Sequence, residues 1–169
     1  PFDYLSAIEI ENIDWSKLNY NEAGQSKSFA IDFIDWAEVN SAGKAQTKVY
    51  KDLAWQSIDY AKLSDETKDG IDWSRIDYRE ATQSSSFDIS FIDWKEINSA
   101  KNVKKLYKYL NWKNIDYRSL NDEIIEGIDW HHVEYEEAIL SESFNLDSVD
   151  INELKKNEKV FKKFIKAAG

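Results

Sequence analysis

Three kinds of residue in this chain have side chains that could act on another molecule: two histidines, thirty-two carboxylates and seven tryptophans. His131 and His132 are neighbours, and neighbouring side chains point to different faces. They are therefore not expected to form a bidentate metal site or a base with its orienting partner. The same two positions in related blocks hold Ser16-Lys17 and Ser74-Arg75, residues of a solvated face. Opposed carboxylates in a cleft can hydrolyse glycosides, yet nothing in the spacing singles out a pair. The acidic clusters Asp65-Glu66, Asp122-Glu123 and Glu134-Glu136-Glu137 lack the alternating oxygen ligands and glycine of a loop-type calcium site. No Gly-x-Ser-x-Gly, His-Glu-x-x-His or phosphate-binding loop is present. With no cysteine, disulfides, thiolate catalysis and Cys-ligated metals are excluded. The expectation is a protein that is not an enzyme and carries no metal and no cofactor.

The tryptophans are the remaining candidates. Trp15, Trp73 and Trp130 occupy one recurring position, Trp36 and Trp94 a second, Trp55 and Trp112 a third. Recurrence at a fixed position marks an inter-repeat core. Two or three such rings also crowd a short unit, so Trp15, Trp73, Trp130, Trp55 and Trp112 are candidates for exposed rings that stack on a sugar or another small ligand.

The elements that must position these residues are repeats. Ile71–Ala81 reads IDWSRIDYREA, with apolar residues at offsets 0, 2, 5, 7 and 10. Close copies lie at Ile13–Ala23 and Ile128–Ala138, and looser ones at Phe29–Val39, Phe87–Ile97 and Phe144–Leu154. From the IDW isoleucine to the Phe of a Ser-x-Ser-Phe block the distance is always sixteen residues: 13 to 29, 71 to 87, 128 to 144. The repeats so framed are 2–57, 58–114 and 115–169, in one continuous domain. The third has Ile151 where the others have Trp36 and Trp94, and it ends in a lysine-rich capping helix, as a solvent-facing terminal unit should. A complete three-unit array, or a cleanly bounded segment of a longer one, is expected.

Within each repeat, Ile34-Asp35-Trp36-Ala37-Glu38-Val39 has the pattern of an N-capped helix start, with Asp35 and Glu38 as a capping box. Asp93 and Asp150 head the same pattern. Asp116 is expected to cap a full helix over 115–127, with Gly127 just past its end. Asp88 lies at no repeated cap position. The lysine-rich stretches show the helical period in Val103, Leu106, Tyr107 and Leu110, and in Val160, Phe161, Phe164 and Ile165; the last four are expected to be buried against the IDW block of their own unit. The expected fold is therefore mainly α: three tandem repeats of about 57 residues, made of short N-capped helices and stacked as a small solenoid. The alternative lies in the pentads IDWSR-IDYRE and LNWKN-IDYRS, which resemble the pentapeptide-repeat β-solenoid. That resemblance implies strands with helices inserted between them. Two features oppose it: Ile and Trp overfill a narrow coil, and no run exceeds two full pentads.

The net charge of −10 disfavours nucleic acid, whose binding depends on Lys and Arg displacing counterions. No apolar run reaches membrane-span length. A secreted or cell-surface setting is compatible with this composition. The function expected is a multivalent scaffold or protein-interaction module that binds a protein partner or self-associates through its basic last helix. Alternatives are ligand binding through exposed Trp, and a structural segment of a large surface or secreted repeat protein.

Overall fold

The computed structural model describes residues 6–24, 29–144, 149 and 151–168. The chain is mainly helical, and no strand occurs among the described residues. The β-solenoid alternative is thereby set aside. Contacts divide the chain into two compact units, Pro1–Phe87 and Asp88–Gly169. The first contains α1 (Ala7–Glu11), α2 (Tyr20–Ala23), α3 (Trp36–Ser41), α4 (Lys44–Asp52), α5 (Asp65–Gly70) and α6 (Tyr78–Ala81). The second contains α7 (Trp94–Ser99), α8 (Val103–Lys108), α9 (Asp122–Gly127), α10 (Tyr135–Ala138), α11 (Ile151–Lys155) and α12 (Glu158–Ala168). Between them run single 3-10 turns, such as Trp55–Ser57, Trp73–Arg75, Trp112–Asn114 and Tyr117–Ser119.

The pentad has a local explanation. An apolar residue and, in most copies, an Asp or Asn lead into a turn headed by an aromatic; Ala54 and Glu134 take that place before Trp55 and Tyr135. The next apolar residue returns to extended backbone: Ile58, Ile76 and Ile115 have ψ of 133°, 141° and 132°. In at least eight of these turns the aromatic then ties its polar atom to the carbonyl five residues back. Tyr60, Tyr78, Tyr117 and Tyr135 hydroxyls donate to Trp55, Trp73, Trp112 and Trp130 carbonyls at 3.1, 2.9, 3.0 and 2.8 Å. Trp55, Trp73, Trp112 and Trp130 donate from Nε1 to Tyr50, Lys68, Tyr107 and Ile125 carbonyls at 2.7–2.9 Å. A period of five thus arises from side chains satisfying buried backbone, with no strand ladder.

Asp35 and Asp93 cap, accepting from the Glu38 and Glu96 amides at 2.9 and 3.0 Å, which is the forward half of the capping box expected at Asp35 and Glu38. A reciprocal capping box forms at Ser6 and Glu9. Asp150 lies outside the described residues. Asp88, expected to be idle, accepts from the Ser90 amide at 2.7 Å and caps the 3-10 turn Ile89–Phe91. The full helix expected over 115–127 is two elements. Asp116 caps only the turn Tyr117–Ser119, through the Arg118 amide at 3.2 Å. Leu120 is extended, and Asn121 starts α9 afresh by accepting from the Ile124 amide. Asn is a stronger N-cap than helix interior residue, so it resets the chain.

In α12 Phe164 is buried, while Val160 and Phe161 are half-buried. Ile165, expected inside, is 53% exposed. Phe164 meets the Tyr135 ring edge-on at 4.9 Å, which seats α12 on α10. No helix among the described residues is long and apolar enough to cross a membrane.

Candidate functional site

The histidines do converge, contrary to the expectation of divergent faces. His131 Nδ1 lies 3.2 Å from Asp129 Oδ1, and His132 Nε2 lies 3.5 Å from Asp129 Oδ2. The turn at residues 129–132 folds both rings back onto one carboxylate. The other two IDW segments show what this arrangement does. Asp14 accepts from Ser16 Oγ at 2.6 Å and Lys17 Nζ at 2.5 Å. Asp72 accepts from Ser74 Oγ at 2.5 Å and Arg75 Nε at 2.7 Å. At each repeat, therefore, a partner two residues on and another three residues on hold the IDW aspartate. The Lys17 ammonium, hydrogen-bonded to Asp14, lowers its carboxyl to about 2. A carboxylate–imidazole pair is also part of an acid–base relay. Here, among the described residues, His131 Nε2 is buried without a hydrogen-bond partner and no group of three His, Asp or Glu is arranged to hold a metal ion.

The acidic clusters have structural work. Asp65-Glu66 and Asp122-Glu123 lie in the first turns of α5 and α9, where carboxylates meet the positive end of the helix dipole. Glu137 accepts from the Trp112 amide at 3.0 Å. Glu134 and Glu136 lie 3.9 and 3.7 Å from Lys163 Nζ.

Trp15, Trp73, Trp130, Trp55 and Trp112, the candidate ligand platforms, are core residues, each at most 3% exposed. Their rings offer no face to a ligand in this conformation. Trp36 and Trp94 are also buried.

A polar and aromatic joint that composition did not reveal occurs once in each compact unit. Within the first unit, Trp36 presses on the last residue of α5. A Cβ built on Gly70 would sit 2.8 Å from Trp36 Cβ. One turn along α3, Asn40 Nδ2 donates to the Gly70 carbonyl at 2.8 Å, while Asn40 Oδ1 accepts from the Tyr50 hydroxyl at 3.0 Å. That hydroxyl in turn accepts from the Asp72 amide at 2.6 Å. The second unit contains the same joint: a Cβ built on Gly127 would sit 3.0 Å from Trp94 Cβ, and Asn98 Nδ2 donates to the Gly127 carbonyl at 2.8 Å. Tyr107 there bonds Asn98 Oδ1 and the Asp129 amide, both at 2.7 Å. Burial pushes the Tyr107 hydroxyl pKa upward, keeping it neutral and able to donate. Gly70 and Gly127, expected at Gly127 to end a helix, are thus needed for close approach. Trp36 Nε1 and Trp94 Nε1 are buried without an acceptor among the described residues, in both copies of the joint.

The Ser-x-Ser-Phe blocks form a second clamp. Ser84 Oγ donates to the Ile58 carbonyl at 2.7 Å, and Ser86 Oγ accepts from the Tyr60 amide at 2.9 Å. Ser141 and Ser143 treat Ile115 and Tyr117 identically, at 2.8 and 2.9 Å. Phe87 and Phe144 meet Tyr60 and Tyr117 edge-on at 5.1 and 4.9 Å. The Ser-x-Ser-Phe block recurs visibly in the sequence, but its partner in this clamp, 26 residues earlier, did not show there. The corresponding residues of the first repeat, Ser26 and Ser28, lie outside the described residues.

What remains on the surface is charge at recurring positions. Lys48, Lys105 and Lys162, each 57 residues from the next, are exposed on α4, α8 and α12. No family model, no curated protein and no solved structure matches this chain.

Proposed function

We propose that this chain is a non-enzymatic scaffold. In this reading three tandem repeats of about 57 residues stack as a small solenoid and present equivalent surfaces to a protein partner. One observation carries the reading: the aromatic and most recurring polar side chains are spent on the core and its joints, while an exposed lysine recurs at Lys48, Lys105 and Lys162. Three equivalent cations on one chain suit an acidic partner with several weak sites. Each further contact is then intramolecular, and avidity rises without any single strong contact. The rival reading of Trp-mediated ligand binding needs an exposed ring, and all seven Trp are at most 6% exposed. Amine-reactive cross-linking in a native extract, followed by peptide mapping, tests the scaffold. Links from two or more of these lysines to one partner protein support it. Links confined to a single repeat, or to the chain itself, overturn the multivalent reading.

A further inference from the structure

Four residues build each joint: Trp, Asn and Tyr on one side, a glycine on the other. One helical turn before the glycines lie Thr67 and Ile124, both buried. These positions are altered at both ends of the chain. In α1, which aligns with α5 and α9, Asn12 stands where the glycines lie, and exposed Glu9 stands where Thr67 and Ile124 lie. In α11 and α12, Ile151 replaces Trp36 and Trp94, exposed Lys155 replaces Asn40 and Asn98, and Phe164 replaces Tyr50 and Tyr107. The first end has therefore lost the hollow and the second the ring that fills it, as well as the amide and hydroxyl that clamp it.

These are not two unrelated surfaces, because the substitutions are opposite in charge. Lys155 occupies the Asn site that reaches toward the glycine carbonyl, and Glu9 lies one helical turn before the glycine site. Each end also exposes a large apolar side chain, Ile8 at 71% and Ile165 at 53%. We propose that the two ends are weakened halves of the internal joint and meet head to tail in a second copy of this chain, with Lys155 of one copy set against Glu9 of the other. The contact is heterologous, so it propagates as open chains unless its rotation closes a ring. Without the Trp knob, affinity rests on a few exposed charges, which are attracted over only about 10 Å at 0.1 M ionic strength. Association is consequently weak and sensitive to salt. This inference rests on the repeat-scaffold reading and names a second copy as one partner.

Sedimentation of the purified chain tests it without any other partner, so its failure is separate from failure of the cross-linking test. The wild-type chain is expected to gain mass with concentration at low salt and to return to monomer at about 0.5 M salt, where screening acts over only a few Å. Lys155→Glu places like charges together at an exposed site and is expected to abolish association while leaving helical circular dichroism unchanged. The triple variant Asn12→Gly, Ile151→Trp and Lys155→Asn restores the hollow, the ring and the amide of the clamp. It is expected to associate at least about tenfold more tightly and to lose most of its salt dependence, since buried contacts are screened far less than exposed charges. A wild-type chain that stays monomeric at low salt overturns the contact. A folded triple variant no tighter than wild type shows that the ends are not halves of the joint.

Discussion

At the scale of single residues, glycine in this chain acts mainly through space. Gly70 and Gly127 lie where a methyl would strike a Trp Cβ, and neither has positive φ. Gly70→Ala and Gly127→Ala are expected to lose about 1–3 kcal/mol each by overpacking, with the larger loss at Gly70, where the approach is closer. Gly24→Ala, whose Cβ would meet a backbone oxygen at 3.2 Å and no ring, serves as the control in denaturant unfolding. The caps make a second residue-level case. Asp93→Ala is expected to lose about 0.5–2 kcal/mol, and Asp88→Ala a loss in the same range, because both accept a backbone amide. A negligible effect at Asp88 would mean that its short 3-10 turn is not held by the cap. The histidine pair shows how far residue reasoning reaches. Equivalence to Ser16-Lys17 and Ser74-Arg75 identified positions of one kind, but not that all three pairs hold an aspartate.

At the scale of elements, the unit is a pentad turn closed by an aromatic polar atom. Tyr78→Phe keeps the ring and deletes the hydroxyl bonded to the Trp73 carbonyl at 2.9 Å, a buried pairing. The variant is expected to lose about 1–3 kcal/mol, the cost of leaving a buried acceptor unpaired. A loss well below that range would imply that water replaces the hydroxyl. In α12, Phe164 is 1% exposed and seats the helix on Tyr135. Phe164→Ala is expected to lose about 3–5 kcal/mol, whereas Ile165→Ala, on the solvent side, is expected to be nearly silent.

For the whole molecule, the buried tyrosines govern stability in alkali. Burial raises the pKa of Tyr20, Tyr60, Tyr107, Tyr117 and Tyr135 above the ordinary value of 10. The folded chain holds these protons more tightly than the unfolded chain. The contribution is therefore complete below pH 10 and is lost as pH rises beyond it. Tyrosine ionisation, followed by ultraviolet absorbance, is expected to coincide with loss of helical circular dichroism above pH 10. Ionisation that precedes unfolding would place the hydroxyls in water. At the acid end the depressed Asp14 carboxyl works in the opposite sense. Its contribution is present above its ordinary value of 3.8 and lost as pH falls through about 2. Tryptophan emission is expected to be blue-shifted and resistant to quenchers, since all seven rings are buried.

The helical class, the Asp35 and Asp93 caps and the burial of Phe164 were legible in the sequence because they depend on local preference and period. Periodicity of five also announced itself, though the same spacing fits a β-coil. What decided between the two was whether each aromatic could reach the carbonyl five residues back, a question of packing. The glycine–tryptophan joint, the serine clamp on the IDY opening and the convergence of His131 and His132 on Asp129 were left to tertiary structure. The joint and the clamp bring together residues about 25–35 positions apart, and the histidine pair depends on the path of a single turn. Sequence spacing records that such residues recur; only the folded chain determines which partner each one meets.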